Sequence, residues 1–149
     1  DTKILDLGTG GGLPGIPLSI VFPDSKFKLI DRKNKKINVL NKIISELGIN
    51  NASAQSIDII DSNHNYDFIV NRAVSSADNL IKLCKGKINY KGENKIKNGI
   101  ICLKGGNLNS ELKNIDKFQI VELKTFFSEQ FFKTKKILYI PNPYSHMDS

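Results

Sequence analysis

The chain has 149 residues, 40% of them hydrophobic and 25% charged, a composition typical of one globular domain with a full core. No apolar run approaches the roughly 20 residues of a membrane span, and no secretory signal is visible. We therefore expect no membrane partner and a cytoplasmic location. The net charge of +7 favours an acidic partner such as nucleic acid. Lysine outnumbers arginine twenty to two, so AT-rich codon usage explains the charge equally well.

Alternating strand and helix patterns follow one another along the chain. The predicted strands are, in order, Lys3–Leu7, Lys26–Asp31, Ala52–Gln55, Asp67–Asn71, Gly99–Leu103, Gln119–Leu123 and Lys136–Ile140. The predicted helices are Leu13–Val21, Lys33–Leu47, Ala77–Leu83 and Ser110–Ile115. Repeated strand–helix units predict an α/β fold with a mostly parallel sheet and helices on both faces. No helical pattern separates the last two strands, which predicts a closing antiparallel hairpin. A single domain over 1–149 is expected.

A glycine run joins the first strand to the first helix. Gly8, Gly10 and Gly12 allow a sharp turn with φ > 0 and leave no side chain between the main chain and a ligand. A strand–glycine–helix turn of this kind binds a nucleotide-like cofactor against the N-terminus of the helix. Without a ligand, so many glycines would only destabilise the fold, because glycine loses more conformational entropy on folding than any other residue. The run therefore predicts a cofactor site.

Two cofactor classes fit this run. Gly10-x-Gly12-x-x-Gly15 matches the dinucleotide fingerprint. Asp6-x-Gly8-x-Gly10-x-Gly12 matches the first motif of class I S-adenosylmethionine methyltransferases. Asp6 favours the second class, because a carboxylate at this place would repel a pyrophosphate. We expect Asp6 to orient the loop or to meet the methionine ammonium, directly or through water.

Two further segments are predicted to complete the cofactor site. Asp31 ends the second strand, where its carboxylate can accept hydrogen bonds from both ribose hydroxyls. Asp31 also suits the N-cap of the next helix, and both roles can hold together. Residues after the third strand should wall the adenine, within one residue either way. They are Ser56, Ile57, Asp58 and Ile59.

Cations at the ends of the fourth and fifth strands are candidates for the substrate side. Arg72, within Asn71-Arg72-Ala73, is one of only two arginines, which indicates a need for its planar fork. Its targets would be a phosphate or a base edge, and an ordinary surface arginine is the alternative. Lys104, before Gly105 and Gly106, is predicted to face the same crevice and to meet RNA phosphate.

A basic cluster opens the second predicted helix. It consists of Arg32, Lys33, Lys35 and Lys36. Cations at a helix N-terminus oppose the macrodipole, so helix stability does not explain them. Phosphate binding and a solvated charged face explain them equally well.

The remaining chemistry-bearing residues predict no further site. Cys84 and Cys102 lack metal-ligand or C-x-x-C spacing and are expected to be buried free thiols in a reducing cytosol. His64 lies in a polar loop and His146 in the tail, so no metal site is expected.

With these residues in place, the chain resembles the bacterial small-subunit ribosomal RNA guanine-N7 methyltransferases, the RsmG or GidB family. The Pro14-Gly15-Ile16-Pro17 extension of the glycine run is much more specific than the glycines alone. The resembling segments are Leu5–Leu18, Leu29–Asp31, Lys35-Lys36, Tyr66–Phe68, Asn71–Val74 and Leu103–Gly106.

The resemblance implies a class I methyltransferase fold with a seven-stranded sheet, S-adenosylmethionine as cofactor and 16S ribosomal RNA as partner. It implies that Gly8 and Leu13 lie at the cofactor, that Asp58-Ile59 lie near the adenine, and that Arg72 occupies the family's functional arginine position. The family carries an N-terminal helical extension, which this chain is expected to lack. A cytoplasmic monomer is expected.

The implied reaction is transfer of a methyl group from a sulfonium to guanine N7 by in-line displacement. N7 has a free lone pair in neutral guanine, so no general base is required, and catalysis would depend on positioning and electrostatics. Arg72 and Lys104 would hold the RNA. An NAD-dependent oxidoreductase and a non-catalytic RNA-binding protein with the same fold remain as alternatives.

Overall fold

The computed structural model describes residues 1–72 and 74–144. Ala73 of the predicted Asn71-Arg72-Ala73 motif lies outside the described residues, as do residues 145–149 with His146. No helix in the described part of the chain has the length and apolarity to cross a membrane.

Within the described residues, seven strands and four α-helices form where the sequence predicts them. The strands are β1 Lys3–Leu7, β2 Lys26–Asp31, β3 Ala52–Ser56, β4 Phe68–Arg72, β5 Gly99–Gly105, β6 Gln119–Glu122 and β7 Lys135–Pro141. The helices are α1 Gly15–Val21, α2 Asn34–Glu46, α3 Ala77–Leu83 and α4 Asn109–Leu112. Single 3-10 turns cover Ile59–Asp61, Leu123–Thr125 and Gln130–Thr134. Helix α1 begins two residues later than predicted, because the turn of the glycine run continues to Pro14.

All seven strands form one sheet in the order β3-β2-β1-β4-β5-β7-β6. Strands β1 to β5 are parallel, whereas β7 lies antiparallel between β5 and β6. The predicted mostly parallel sheet with a final antiparallel hairpin is therefore confirmed. Because β7 is inserted beside β5, the last strand in the chain is internal and β6 is the edge.

Helices cover the sheet on both faces and bury two separate cores. One core packs Ala77 and Leu80 of α3 against β-strand residues such as Ile69 and Ile100. The other packs Ile37 and Leu40 of α2, with Ile16 of α1, against Phe27 and Leu29 of β2. Strand β4 is buried along most of its length, as its continuous apolar run predicts.

The parallel strands bring the predicted site residues to one edge of the sheet. Asp31 ends β2, Arg72 ends β4, and the glycine run leaves β1 at the same carboxyl edge. Strand β7 runs the other way, so its first residues, Lys135 and Lys136, pair with Gly105 and Lys104 at the end of β5. The connection between β6 and β7 therefore lies at this edge as well.

Candidate active site

The glycine run makes a compact turn with the predicted backbone conformation. Gly8, Gly10 and Gly12 have φ values of 67°, 60° and 92°. The Thr9 carbonyl accepts hydrogen bonds from the amides of Gly12 and Leu13, at 3.0 and 3.2 Å. A Cβ on Gly12 would lie 2.7 Å from Ile16 and 2.8 Å from Leu40. Glycine is therefore required at Gly12 by both conformation and space.

Asp6 is buried beneath this turn and holds its two ends. Its Oδ2 accepts hydrogen bonds from the Thr9 hydroxyl at 2.6 Å and from the Gly15 amide at 2.8 Å. Its Oδ1 is buried and has no hydrogen-bond partner among the described residues. Burial raises the pKa of Asp6, although the two hydrogen bonds and the charge of Arg72 act to lower it. The placement agrees with the expected loop-orienting role, and leaves one oxygen able to accept a further hydrogen bond.

Asp31 joins the glycine turn to the start of α2. Its Oδ2 accepts a hydrogen bond from the Gly10 amide at 3.0 Å, and its Oδ1 accepts one from the Lys33 amide at 3.0 Å. Lys33, and not Asp31, is the N-cap residue of α2. A carboxylate has about four acceptor positions. Asp31 therefore holds the loop and keeps acceptor capacity at the sheet edge.

The segment predicted to border the adenine holds Asp58 and Ile59 in different environments. The Asp58 carboxylate caps the 3-10 turn by accepting the Ile60 amide at 3.2 Å and lies 3.8 Å from the Arg32 guanidinium. The Ile59 side chain packs into the larger core, and the neighbouring Ile60 side chain is exposed. Ile59 thus lies at the predicted place in the chain, but its side chain is turned into the core.

The basic cluster is exposed at the start of α2, and one of its members leans toward the glycine turn. A Cβ built on Gly10 would lie 3.9 Å from the Lys36 ammonium nitrogen. Arg32 and Lys35 are exposed beside it, and Leu13 presents a partly exposed apolar side chain on the same turn. A cation, an apolar surface and the Asp31 carboxylate therefore surround the glycine turn.

Arg72 ends β4 as an exposed side chain next to a buried polar residue. It forms no ion pair within the described residues. The preceding Asn71 is buried and its amide donates to the Cys102 thiol sulfur at 3.3 Å. Strand β4 is paired with β1, which carries Asp6. The Arg72 charge therefore acts on the Asp6 carboxylate and partly offsets the rise in its pKa that burial causes.

Lys104 differs from its prediction, because its side chain is only 9% exposed. Its ammonium group donates to the Ser75 carbonyl at 2.6 Å and to the Glu111 carboxylate at 2.8 Å. The same Glu111 oxygen accepts the Ala77 amide at 2.7 Å. The expectation of a crevice cation that meets RNA phosphate is corrected: Lys104 fastens the β4–α3 loop to α4.

Three residues of the site were not predicted from the sequence. Thr9 belongs to the Asp6 hydrogen-bond network, and Ser75 and Glu111 belong to the Lys104 network. Thr9 stands between two predicted glycines, so its hydroxyl could have been assigned to the turn. Glu111 carries no comparable local signal, since its partner lies on a different element.

Cys84 and Cys102 are both free and buried, as predicted. Burial raises the pKa of the Cys84 thiol to about 12, which removes its nucleophilic form at neutral pH. Within residues 1–72 and 74–144, no group of three or more metal-binding side chains is close enough to hold an ion.

Comparisons with known proteins agree with this architecture. A crystal structure of a SAM-dependent methyltransferase from Aquifex aeolicus superposes with a TM-score of 0.65 at 17% identity, over 93% of this chain and 80% of that one. PKMT2 from Rickettsia typhi, in complex with AdoHcy, superposes with a TM-score of 0.58 at 22% identity, over 76% of this chain and 22% of that one. The predicted class I methyltransferase fold is therefore confirmed.

Sequence similarity is closer and extends along nearly the whole chain. A ribosomal RNA small subunit methyltransferase G from Christiangramia forsetii is 46% identical over 143 residues, which cover 96% of this chain and 68% of the relative. The family model for GidB, rRNA small subunit methyltransferase G, matches residues 1–138. The chain belongs to the GidB family of rRNA small subunit methyltransferases.

Proposed function

We propose that this protein transfers a methyl group from S-adenosylmethionine to N7 of a guanine in small-subunit ribosomal RNA. The observation that carries the proposal is the glycine turn held between Asp6 and Asp31, two carboxylates that each accept an amide of the turn. Family membership supports the RNA substrate, and the exposed cations at the same edge fit its charge. The acting form in this proposal is a cytoplasmic monomer.

The residues present fit S-adenosylmethionine. The unpartnered Asp6 oxygen is a suitable acceptor for an ammonium group or a water bound to it. The Asp31 carboxylate keeps acceptor positions for ribose hydroxyls. Asp58 and the residues beside Ile59 would border the adenine, and Leu13 would supply apolar contact. Gly10 leaves the main chain open to the ligand, whereas the space beside Gly8 is filled by the Val74 side chain.

The cofactor, when bound, supplies a methyl group activated on a sulfonium. Guanine N7 carries its lone pair in the neutral base, so no residue of the chain has to remove a proton. The chain must instead hold the two reactants in line and exclude other geometries. Arg72 is the residue we assign to the base edge or an adjacent phosphate, because its planar guanidinium is exposed at the end of β4 and its charge acts on Asp6 beneath the glycine turn. Arg32, Lys35 and Lys36 would extend the contact along the RNA backbone.

Titration calorimetry separates this proposal from its alternatives. S-adenosylmethionine should bind and NAD should not. Binding of NAD alone would favour an oxidoreductase, and binding of neither would favour a non-catalytic RNA-binding protein. Asp31→Ala should weaken cofactor binding at least tenfold, since two hydroxyl contacts are lost. The matched control is Asp24→Ala, an exposed aspartate in the turn before β2, at the other end of that strand, which should bind as the unmodified chain does.

Methyl transfer to naked and assembled small-subunit RNA tests the reaction itself. Mass mapping of the product should find 7-methylguanine after incubation with the protein and S-adenosylmethionine. Cofactor binding without transfer to either RNA form would contradict the proposed activity, and methylation at another base atom would contradict the N7 assignment.

A further inference from the structure

A cluster of phenylalanines lies on the connection between β6 and β7. The aromatic ledge, as we call it, consists of Phe126, Phe127, Phe131 and Phe132. The Phe127 and Phe132 rings stack with centroids 4.4 Å apart, and Phe131 meets Phe132 edge to face at 5.2 Å. The ledge therefore contains a stacked aromatic pair, and one ring of that pair contacts Phe131.

The outer rings are exposed to an unusual degree for large apolar side chains. Phe126 is 70% exposed and Phe131 is 67% exposed. Full burial of a phenylalanine side chain stabilises a folded protein by about 1.5–3 kcal/mol. Two rings left in water forgo most of this stabilisation. Clustered exposed apolar side chains of this kind mark a surface that binds a partner or ligand.

The backbone beneath the ledge is fixed by hydrogen bonds. The Leu123 carbonyl accepts the amides of Phe126 and Phe127, both at 3.0 Å. The Glu129 carbonyl accepts the Phe132 amide at 3.0 Å, and the Thr134 carbonyl accepts the Gly106 amide at 3.0 Å. The rings are thus presented on two tight turns tied to the end of β5, which lowers the entropy lost on binding.

The charge around the ledge is positive. Residues 122–136 contain four lysines and two glutamates, and Lys124 and Lys136 both lie at Glu122. The Lys135 ammonium lies 4.8 Å from the Phe131 ring centroid, and Lys133 has no ion pair within the described residues. An exposed ring flanked by cations matches a polyanion that also offers flat aromatic groups. RNA has both properties, since its phosphates pair with lysine and its bases stack on rings.

The ledge lies at the same sheet edge as the candidate active site. Lys135 and Lys136 pair with Gly105 and Lys104 at the carboxyl end of β5. Two strand spacings, about 10 Å, separate β7 from β4 and its terminal Arg72. One RNA strand can therefore reach the active site and the ledge together.

We propose that the aromatic ledge binds the RNA substrate by stacking unpaired bases on Phe126 and Phe131, with Lys133 and Lys135 on the adjacent phosphates. The ledge is a second contact surface, distinct from the glycine turn and from Arg72. It extends the RNA-binding surface from the start of α2 to the far edge of the sheet. This inference rests on the proposed action on RNA.

Fluorescence anisotropy with a labelled single-stranded RNA of about 12 nucleotides tests the ledge, a length within the range such surfaces bind. Phe126→Ala and Phe131→Ala should each raise Kd about tenfold, the usual loss for one stacked base. Phe131→Tyr should keep the affinity, and Phe131→Leu should lose it, because leucine is apolar but cannot stack. The matched control is Phe22→Ala, a 51% exposed ring at the end of α1, away from the carboxyl edge, which should leave Kd unchanged.

The salt dependence separates stacking from phosphate contact. Lys133→Gln should reduce the slope of log affinity against log salt by about 0.7, the value for one phosphate contact on a single strand. The phenylalanine variants should lower affinity with the slope unchanged. All variants should bind S-adenosylmethionine as the unmodified protein does, since none of these residues touches the glycine turn.

Four outcomes would contradict the proposed role of the aromatic ledge. Unchanged RNA affinity in the Phe126→Ala/Phe131→Ala double variant would do so while leaving the proposed methyl transfer intact. Retained affinity in Phe131→Leu, or a dimer in sedimentation that only the double variant dissociates, would show that the rings bury apolar surface against protein. An unmodified chain that binds the cofactor but no RNA would overturn both the ledge and the proposed function.

Discussion

The glycine turn after β1 and the loop after β4 lie side by side at one sheet edge. A buried carboxylate holds the first, and a part-buried ammonium group holds the second. Beneath the glycine turn, Asp6 accepts hydrogen bonds from neutral donors, and its other oxygen has no partner among the described residues. Beneath the neighbouring loop, Lys104 is paired with Glu111, and the pair also engages Ser75 and Ala77.

The difference separates a structural charge from a functional one. Lys104 and Glu111 satisfy each other, so their network has no need of a ligand. Asp6 has no ion pair within residues 1–72 and 74–144, and burial raises its pKa. A buried carboxylate with an unused oxygen in a glycine turn marks a ligand site. Lys104 therefore has a structural role because it is paired with Glu111, whereas Asp6 keeps an oxygen that can bind a ligand.

Breaking the buried pair should give the largest effect. Lys104→Met should lower the free energy of unfolding by about 3 kcal/mol, because the part-buried Glu111, whose side chain is 18% exposed, is left without its cation. Urea denaturation measures the loss. Lys104→Met combined with Glu111→Leu should recover part of it, since both charges are then removed. A loss below about 0.5 kcal/mol, the range of surface substitutions, would mean that Lys104 is an ordinary surface lysine.

Distorting the glycine turn should have a slightly smaller effect. Gly12→Ala should lower the free energy of unfolding by about 2–3 kcal/mol, because its φ of 92° is strained for alanine and the new methyl group meets Ile16 and Leu40. Gly11→Ala is the matched control, since a Cβ there meets nothing within 4 Å. Thermal denaturation of both variants should separate them. Equal stability would contradict the packed geometry of this turn.

Removing the exposed cation should affect the reaction and leave the fold intact. Arg72→Ala should lower methyl transfer to small-subunit RNA about a hundredfold, the usual loss for one positioned electrostatic contact. Its unfolding midpoint should stay that of the unmodified chain, because Arg72 forms no ion pair within the described residues. Arg72→Lys should rescue only part of the rate, since lysine lacks the planar fork. Unchanged transfer in Arg72→Ala would remove its assigned role.

Titrating Asp6 should give the smallest effect. Because its folded pKa is raised above the ordinary value of 3.8, the native chain binds this proton more tightly than the unfolded chain. The stability due to Asp6 is fully present below pH 3.8 and is lost as the pH rises through the folded pKa. Relative to Asp6→Asn, the unmodified chain should therefore gain stability as the pH falls toward 3.8. Denaturation across that range measures the difference, and an opposite slope would indicate a lowered pKa.

Much of the fold was predictable because its signals are local. Three segments show this, because neighbouring residues specify their conformation. They are the continuous apolar run of β4, the helical spacing of Ile37, Leu40 and Ile44 in α2, and the glycines after β1. The carboxyl-edge placement of Asp31 and Arg72 followed from parallel strand order alone. The insertion of β7 between β5 and β6 was not predicted, because strand pairing depends on residues distant in the chain.

The sequence by itself determined the cofactor turn, the strand ends that carry the site and the family of the chain, since these depend on residue types at fixed short spacing. Only the tertiary structure decided which polar residues are free to act. Lys104 is paired with Glu111, the Ile59 side chain packs into the core, and Phe126 and Phe131 remain exposed. Burial and pairing depend on what another element brings into contact, and no local pattern encodes that partner.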